Sequence, residues 1–308
     1  MIKTGLPNLK AKPFGGAYSV HDPEQIIVLN ESIIKFPSLS YDANNLKHEF
    51  FETYKKWMPK YHNLQGIENY SEACFTNGTT ESFVNFYLKY KGTKRLRIAK
   101  GDYFYHKMTQ KMYFDGRRQF QWLDSDELRS GDLVVLSCPF SDSGSLRADL
   151  EELLTRCDQL KIPVMLDLAY INISENMSIN LNHKCIDYVV SSLSKAFPLE
   201  NHRVGIRLQR EKHEDPLYVI NEDDYNYLNT LSLYVSTELM KKFPSNYITQ
   251  KYKDAQRYWC EKLDIVPSEC VIFGIDTKNK YPEYSRGLET NRLCFSRVWD
   301  GRKNYGTQ

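Results

Sequence analysis

An α/β fold around an open, largely parallel sheet is what this 308-residue sequence predicts, and three observations carry the prediction. Short β-rich runs recur at 96–99, 133–137, 164–166, 188–191 and 204–208. Stretches of helical period separate them, and strands alternating with helices pack as crossover units with parallel neighbours. Polar, chemically capable residues directly follow the third and fourth runs, and in open α/β sheets ligands sit beyond the carboxyl ends of strands.

Residues 1–35 form an N-terminal segment, rich in Pro and Gly up to an apolar run at 26–29, that is expected to pack with the smaller of two bodies. Next, Thr76-Asn77-Gly78-Thr79-Thr80-Glu81 is a polar turn opening the apolar helical run 83–88. The free backbone N–H groups of such a helix start suit an anion, a phosphate above all. Between the second and third runs, Leu150, Leu153, Leu154, Cys157 and Leu160 recur at three- and four-residue steps beside Glu151, Glu152, Arg156 and Asp158, which predicts an amphipathic helix. Pro163 then opens the next strand. After Pro216 the texture changes to a Tyr- and Leu-rich helical stretch at 223–243 and two short strands at 271–275 and 292–295. The expected division is therefore a large domain over 36–215 and a small, shortened α+β domain over 216–308.

Composition removes several classes of function. With 41 Lys and Arg against 39 Asp and Glu, the chain has no electrostatic footprint for nucleic acid or anionic lipid. No pair of the seven cysteines has the spacing of a zinc or redox motif, so no metal is expected, and buried reduced thiols in a cytoplasmic protein are. No run of about 18 apolar residues occurs, which predicts no membrane span, and neither is an export signal expected. Gly-x-Gly-x-x-Gly, phosphate-loop, Gly-x-Ser-x-Gly and His-Glu-x-x-His motifs are absent from the sequence. His106 and His202 have no metal-like partner at helical spacing.

The residues after the strands carry the chemistry. Asp167-Leu168-Ala169-Tyr170 follows one strand, Ser192-Leu193-Ser194-Lys195 the next, and Arg203-Val204-Gly205 begins eight residues beyond the lysine. Together with the Thr76–Glu81 turn, these segments resemble, in order and approximate spacing, the motifs of the fold-type I pyridoxal 5′-phosphate (PLP) enzymes. The resemblance is specifically to the class I/II aminotransferases and their histidinol-phosphate aminotransferase-like branch, and it spans residues 29–295. It implies a three-layer PLP-dependent transferase fold with a mostly parallel central sheet, and a homodimer acting on an amino-acid substrate.

The resemblance also implies roles. Lys195 would carry PLP as a Schiff base and move a proton at the substrate Cα, Asp167 would keep the cofactor ring nitrogen protonated, and Tyr170 would hydrogen-bond the ring 3′-oxygen. Asn77, Gly78, Thr79, Ser192 and Arg203 would surround the cofactor phosphate, with Tyr41 reaching the partner subunit's phosphate. Tyr103 would stack on the ring, with Phe104 and Tyr105 as rivals, and Arg292 would bind the substrate α-carboxylate. Ser141, in Cys138-Pro139-Phe140-Ser141-Asp142-Ser143-Gly144, stands where the family has an Asn that contacts the 3′-oxygen, and Asp142 beside it adds a charge. Transamination is the reaction expected. Decarboxylation, β-elimination or replacement, racemisation, and a non-catalytic binding protein on the same fold are the alternatives.

Overall fold

The computed structural model describes residues 12–38, 42–113, 120–175, 177–213 and 215–299. In chain order its strands are β1 (Asn63–Gln65), β2 (Glu72–Thr76), β3 (Arg95–Ile98), β4 (Phe120–Trp122), β5 (Asp132–Ser137), β6 (Val164–Asp167), β7 (Ser178–Asn180), β8 (Ile186–Ser192), β9 (Gly205–Gln209), β10 (Val266–Pro267), β11 (Phe273–Asp276) and β12 (Asn291–Cys294). The helices are α1 (Pro23–Lys35), α2 (Ala43–Trp57), α3 (Thr79–Tyr90), α4 (Phe104–Tyr113), α5 (Leu150–Leu160), α6 (Pro216–Asn221), α7 (Thr230–Lys242) and α8 (Tyr247–Leu263).

Seven strands form the central sheet in the order β2-β9-β8-β6-β5-β3-β4. β9 runs antiparallel to both of its neighbours, and the other pairings are parallel. All five runs expected from the sequence are strands of this sheet. Each central strand reads as nearly continuous apolar sequence because both of its faces are buried. In β5, Leu133 and Val135 point to the face covered by Phe83, Phe86 and Tyr87 of α3, whereas Val134 and Leu136 point to the other. That second face packs on Phe50 and Tyr54 of α2, Leu154 of α5 and Leu233, Val235 and Leu239 of α7. The result is a helix–sheet–helix sandwich, the three-layer α/β architecture the sequence implied.

Local chemistry sets the element boundaries. Asp22 accepts the N–H groups of Glu24 and Gln25, each at 3.1 Å, and Pro23 occupies the first helical turn, so the apolar run 26–29 lies inside a helix. The helix expected over 223–243 starts only at Thr230. Asn226, in the left-handed region at φ 44°, closes a turn on Glu222, and the Asn229 side chain caps the helix by accepting the N–H of Ser232. Likewise the strand expected at 271–275 begins at Phe273, because a turn closes from Phe273 N–H to Cys270 O.

α1 and α2 pack with α7 on the main core. α8 lies beside the separate antiparallel sheet β10-β11-β12, around Cys260, Tyr284, Leu293 and Phe295. β1 and β7 pair in parallel as a two-stranded ribbon outside both sheets. All seven cysteines are buried and free. Among the described residues no helix is long and apolar enough to cross a membrane.

Candidate active site

Four segments meet at one edge of the central sheet because the strand order brings their ends together. Asp167 is the last residue of β6, and Lys195 lies three residues beyond the end of β8, its parallel neighbour. Because β9 is antiparallel, its beginning lies at this edge too, where Gly205 pairs with Thr76 at the end of β2. Arg203 and Gly78 are thereby brought side by side, although the sequence separates them widely.

The Gly78 turn forms an anion cradle. Gly78 sits at φ +82°, and a Cβ built there would meet Arg203 Nη2 at 2.3 Å, so only glycine lets the guanidinium approach the start of α3. Arg203 Nη2 donates to Thr80 Oγ1 at 3.1 Å. Its backbone is itself in the left-handed region at φ 56°, in a turn closed by its N–H on Leu199 O. A Cβ on Gly205 would meet Thr76 Oγ1 at 2.5 Å, which makes the second side of the turn equally close. Thr79 is buried at the helix start, and Ser192 is buried with its hydroxyl 2.7 Å from that of Ser194. Asn77 is different: it is exposed, and its backbone N–H and side chain are both taken by Glu81.

Asp167 is buried. Desolvation and the nearby charge of Asp102 push its carboxyl up to about 8, against the opposing pull of the Ala169 N–H and of Lys195. Asp102 is held in place by Ser137, whose N–H it accepts at 3.0 Å, and by the N–H of Tyr103 at 2.6 Å. Lys195 donates to Ala17 O at 2.6 Å and lies 6.0 Å from the centre of the Tyr170 ring. Desolvation lowers its pKa, opposed by Cys294 and Glu200 and reinforced by Arg292 and Arg203. That favours the neutral amine a nucleophile or base needs. Tyr103 is exposed at this edge; desolvation and the charge of Asp167 raise the pKa of its hydroxyl. Its ring stacks on Tyr105 at 6.0 Å.

A second polar group faces this centre from the small sheet. Arg292, buried in β12, donates to Ser141 O and lies over the Phe273 ring at 4.3 Å. Tyr170 meets the same ring edge-on at 5.3 Å, and desolvation pushes its hydroxyl up to about 12. Arg286, which the sequence alone did not single out, donates to Asp102 O at 3.1 Å and Ser141 Oγ at 3.5 Å, and faces Asp142 at 3.4 Å. Desolvation and the neighbouring Arg292 lower it to about 10.

Asp167, Tyr170, Lys195, Ser192, Arg203, Gly78, Thr79, Tyr103, Ser141 and Arg292 thus come from six separate stretches of chain to this edge and the small sheet against it. Tyr41 lies outside the described residues. Arg286, Asp102 and the Ala17 carbonyl complete the surroundings, and the sequence singled out none of the three.

Residues 117–243, the stretch containing Asp167, Lys195 and Arg203, match the family described as Aminotransferase class I and II. Among the curated proteins none matches the chain in sequence. In structure the chain is similar to the tyrosine aminotransferase of Leishmania infantum, at 13% identity and TM-score 0.64, over 94% of this chain and 93% of that one. It is similar too to the histidinol-phosphate aminotransferase of Clostridium acetobutylicum, at 15% identity and TM-score 0.61, covering 94% and 97%. A PLP-bound C-S lyase of Staphylococcus hominis superposes at 12% identity and TM-score 0.66, covering 91% and 83%. The fold is that of the fold-type I PLP-dependent enzymes.

Proposed function

We propose that this protein is a PLP-dependent aminotransferase acting on an α-amino acid or a close relative. The observation that carries the reading is the joint placement of Asp167 and Lys195 at the ends of neighbouring strands, beside the Gly78–Arg203 cradle.

The residues fit the cofactor on their own terms. A buried carboxylate pushed up to about 8 by desolvation and Asp102 is poorly compensated, and a cationic ring N–H against it supplies the missing charge. A glycine that admits a guanidinium to a helix start makes a phosphate seat. Bound there, PLP supplies an electron-accepting ring that stabilises negative charge developing at the substrate Cα.

The chain's own groups do the rest. Arg203, the Gly78 and Thr79 amides and Ser192 would hold the phosphate, and Asp167 would keep the ring nitrogen protonated. Tyr103 would lie against the ring, and Tyr170 would hydrogen-bond its 3′-oxygen. Lys195, desolvated and with a lowered pKa, acts as a neutral amine that takes and returns the proton at Cα. Arg292 receives the α-carboxylate and so fixes which Cα bond faces that amine. The pocket would be completed in a homodimer, which light scattering at working concentration tests.

The fold is shared by transaminases and a C-S lyase, so the test must read the bond broken. Single-turnover mixing of cofactor-loaded protein with individual amino acids should release the matching 2-oxo acid, reversed by adding a 2-oxo acid. Carbon dioxide, or a lost β-substituent, would select decarboxylation or elimination instead. No release and no spectral response across a broad panel would refute an amino-acid enzyme.

A further inference from the structure

Arg286 is lowered by burial and by the neighbouring Arg292, and both arginines act on an acid that belongs to the protein itself, Asp142. Burial raises the pKa of that acid against the opposing pull of Arg286, Arg292 and a hydrogen bond with Thr290. Asp142 is 1% exposed, and its Oδ1 has no hydrogen-bond partner even though Arg286 Nε stands 3.4 Å away. Arg292 Nε is likewise buried without a partner, its Nη1 being occupied by Ser141 O. The loop that places Asp142 is tightly constrained: a Cβ on Gly101 would meet Leu288 at 2.5 Å and the Asp142 Cβ at 3.1 Å, and one on Gly144 would meet Ser268 at 2.4 Å. Asp102, another acid nearby, lends Arg286 its carbonyl, while its carboxylate is engaged by Ser137 and the Tyr103 N–H.

We propose that Asp142 is a built-in counter-charge that cancels Arg286 and leaves the subsite one unit of positive charge, so that it selects substrates with a single carboxylate over dicarboxylates and phosphorylated amino acids. The inference rests on the reading of Arg292 as the α-carboxylate anchor and deepens it to a substrate class. Two positive groups and one fixed carboxylate satisfy one incoming carboxylate. A second incoming acid would meet Asp142 at close range in a desolvated pocket, where like charges repel strongly. Selection thus comes from an internal repulsive element as well as from the attractive arginine.

Calorimetric titration of the cofactor-loaded protein with butyrate and succinate reads this preference without turnover, since the two have the same length and differ by one carboxylate. Wild-type protein should bind butyrate at least about tenfold more tightly than succinate. Asp142→Asn should tighten succinate about tenfold and move butyrate little, with Asp142→Ser as a second variant should the amide disturb the loop. Arg286→Gln alone should weaken butyrate, and Asp142→Asn with Arg286→Gln should restore it, because the net charge returns to its original value. A wild-type preference for succinate, or no change of preference in either Asp142 variant, would overturn the proposal. Arg292→Ala separates the two levels. If it binds butyrate as wild type does, the anchor assignment itself fails; if it loses butyrate while the Asp142 variants leave discrimination intact, only the counter-charge fails.

Discussion

Asp102 accepts the backbone N–H of Ser137 at 3.0 Å, and Ser137 is the register partner of Asp167 across β5 and β6. Two buried carboxylates are thereby fixed at one sheet edge, and Asp167 titrates in the field of Asp102.

For Asp167 the sign of the pH effect follows from burial and Asp102 raising its folded pKa to about 8, far above the roughly 3.9 of an unfolded chain. The folded state then holds the proton more tightly, so this residue's contribution is most favourable below the unfolded pKa and is lost as pH rises towards 8. Asp167→Asn should raise the Tm of cofactor-free protein by about a few degrees at pH 9 and much less at pH 4, read by scanning calorimetry. Asp102→Asn should shift the same window to lower pH. In the loaded enzyme Asp167→Asn should cut turnover more than about tenfold, or more than about 1.4 kcal/mol, and activity within that limit would refute its role at the ring nitrogen.

Lys195 should be the attachment point of the cofactor. Borohydride treatment of cofactor-loaded protein followed by peptide mapping should place the added mass on Lys195, and a label on any other lysine would refute the central assignment.

Gly78→Ala tests the cradle. The new methyl group meets Arg203 Nη2 at 2.3 Å on a backbone at φ +82°, so the guanidinium must move. Loss of one charge-assisted phosphate contact, about 1.5–3 kcal/mol, should raise the Kd for PLP at least about tenfold in a fluorescence titration. Arg203→Lys should show a similar loss, since an ammonium cannot reproduce the paired guanidinium geometry. Unaltered affinity in both would place the phosphate elsewhere.

His183 gives a stability prediction away from this centre. Burial lowers its pKa, but the hydrogen bonds it donates to Asp158 at 2.6 Å and Glu151 at 2.9 Å outweigh that and raise it overall. A raised histidine stabilises the fold fully below its unfolded pKa and stops doing so as pH rises through the folded value. His183→Gln should therefore lower Tm more at pH 5.5 than at pH 9. Equal losses at both would show that the imidazole contributes by packing alone.

What could be read from the sequence was whatever local pattern encodes. Asp167, Lys195 and Arg203 stood out because each follows or precedes a strand whose two buried faces make it a short apolar run. The Gly78 turn was legible because a polar turn opening an apolar helix has an anion-binding meaning of its own. Arg286 had no such mark. Its partners are Asp102, Ser141 and Asp142, all far from it in sequence, and the surrounding loop shows neither period. β1 and β7, three residues each, are too short to show alternation, and α7 starts late because capping by Asn229 overrode a longer helical pattern.

Antiparallel β9 has a further consequence for how the chain assembles. The two sides of the cradle, Thr80 and Arg203, are 123 residues apart along the chain, and they meet only when β9 has entered between β2 and β8. A phosphate gripped by both sides acts as a reversible staple across that long loop. It can form only on a nearly complete sheet, and once formed it opposes the departure of β9. Ligand capture would then be a late event on the folding path, and saturating ligand would slow global unfolding by mass action without any covalent cross-link.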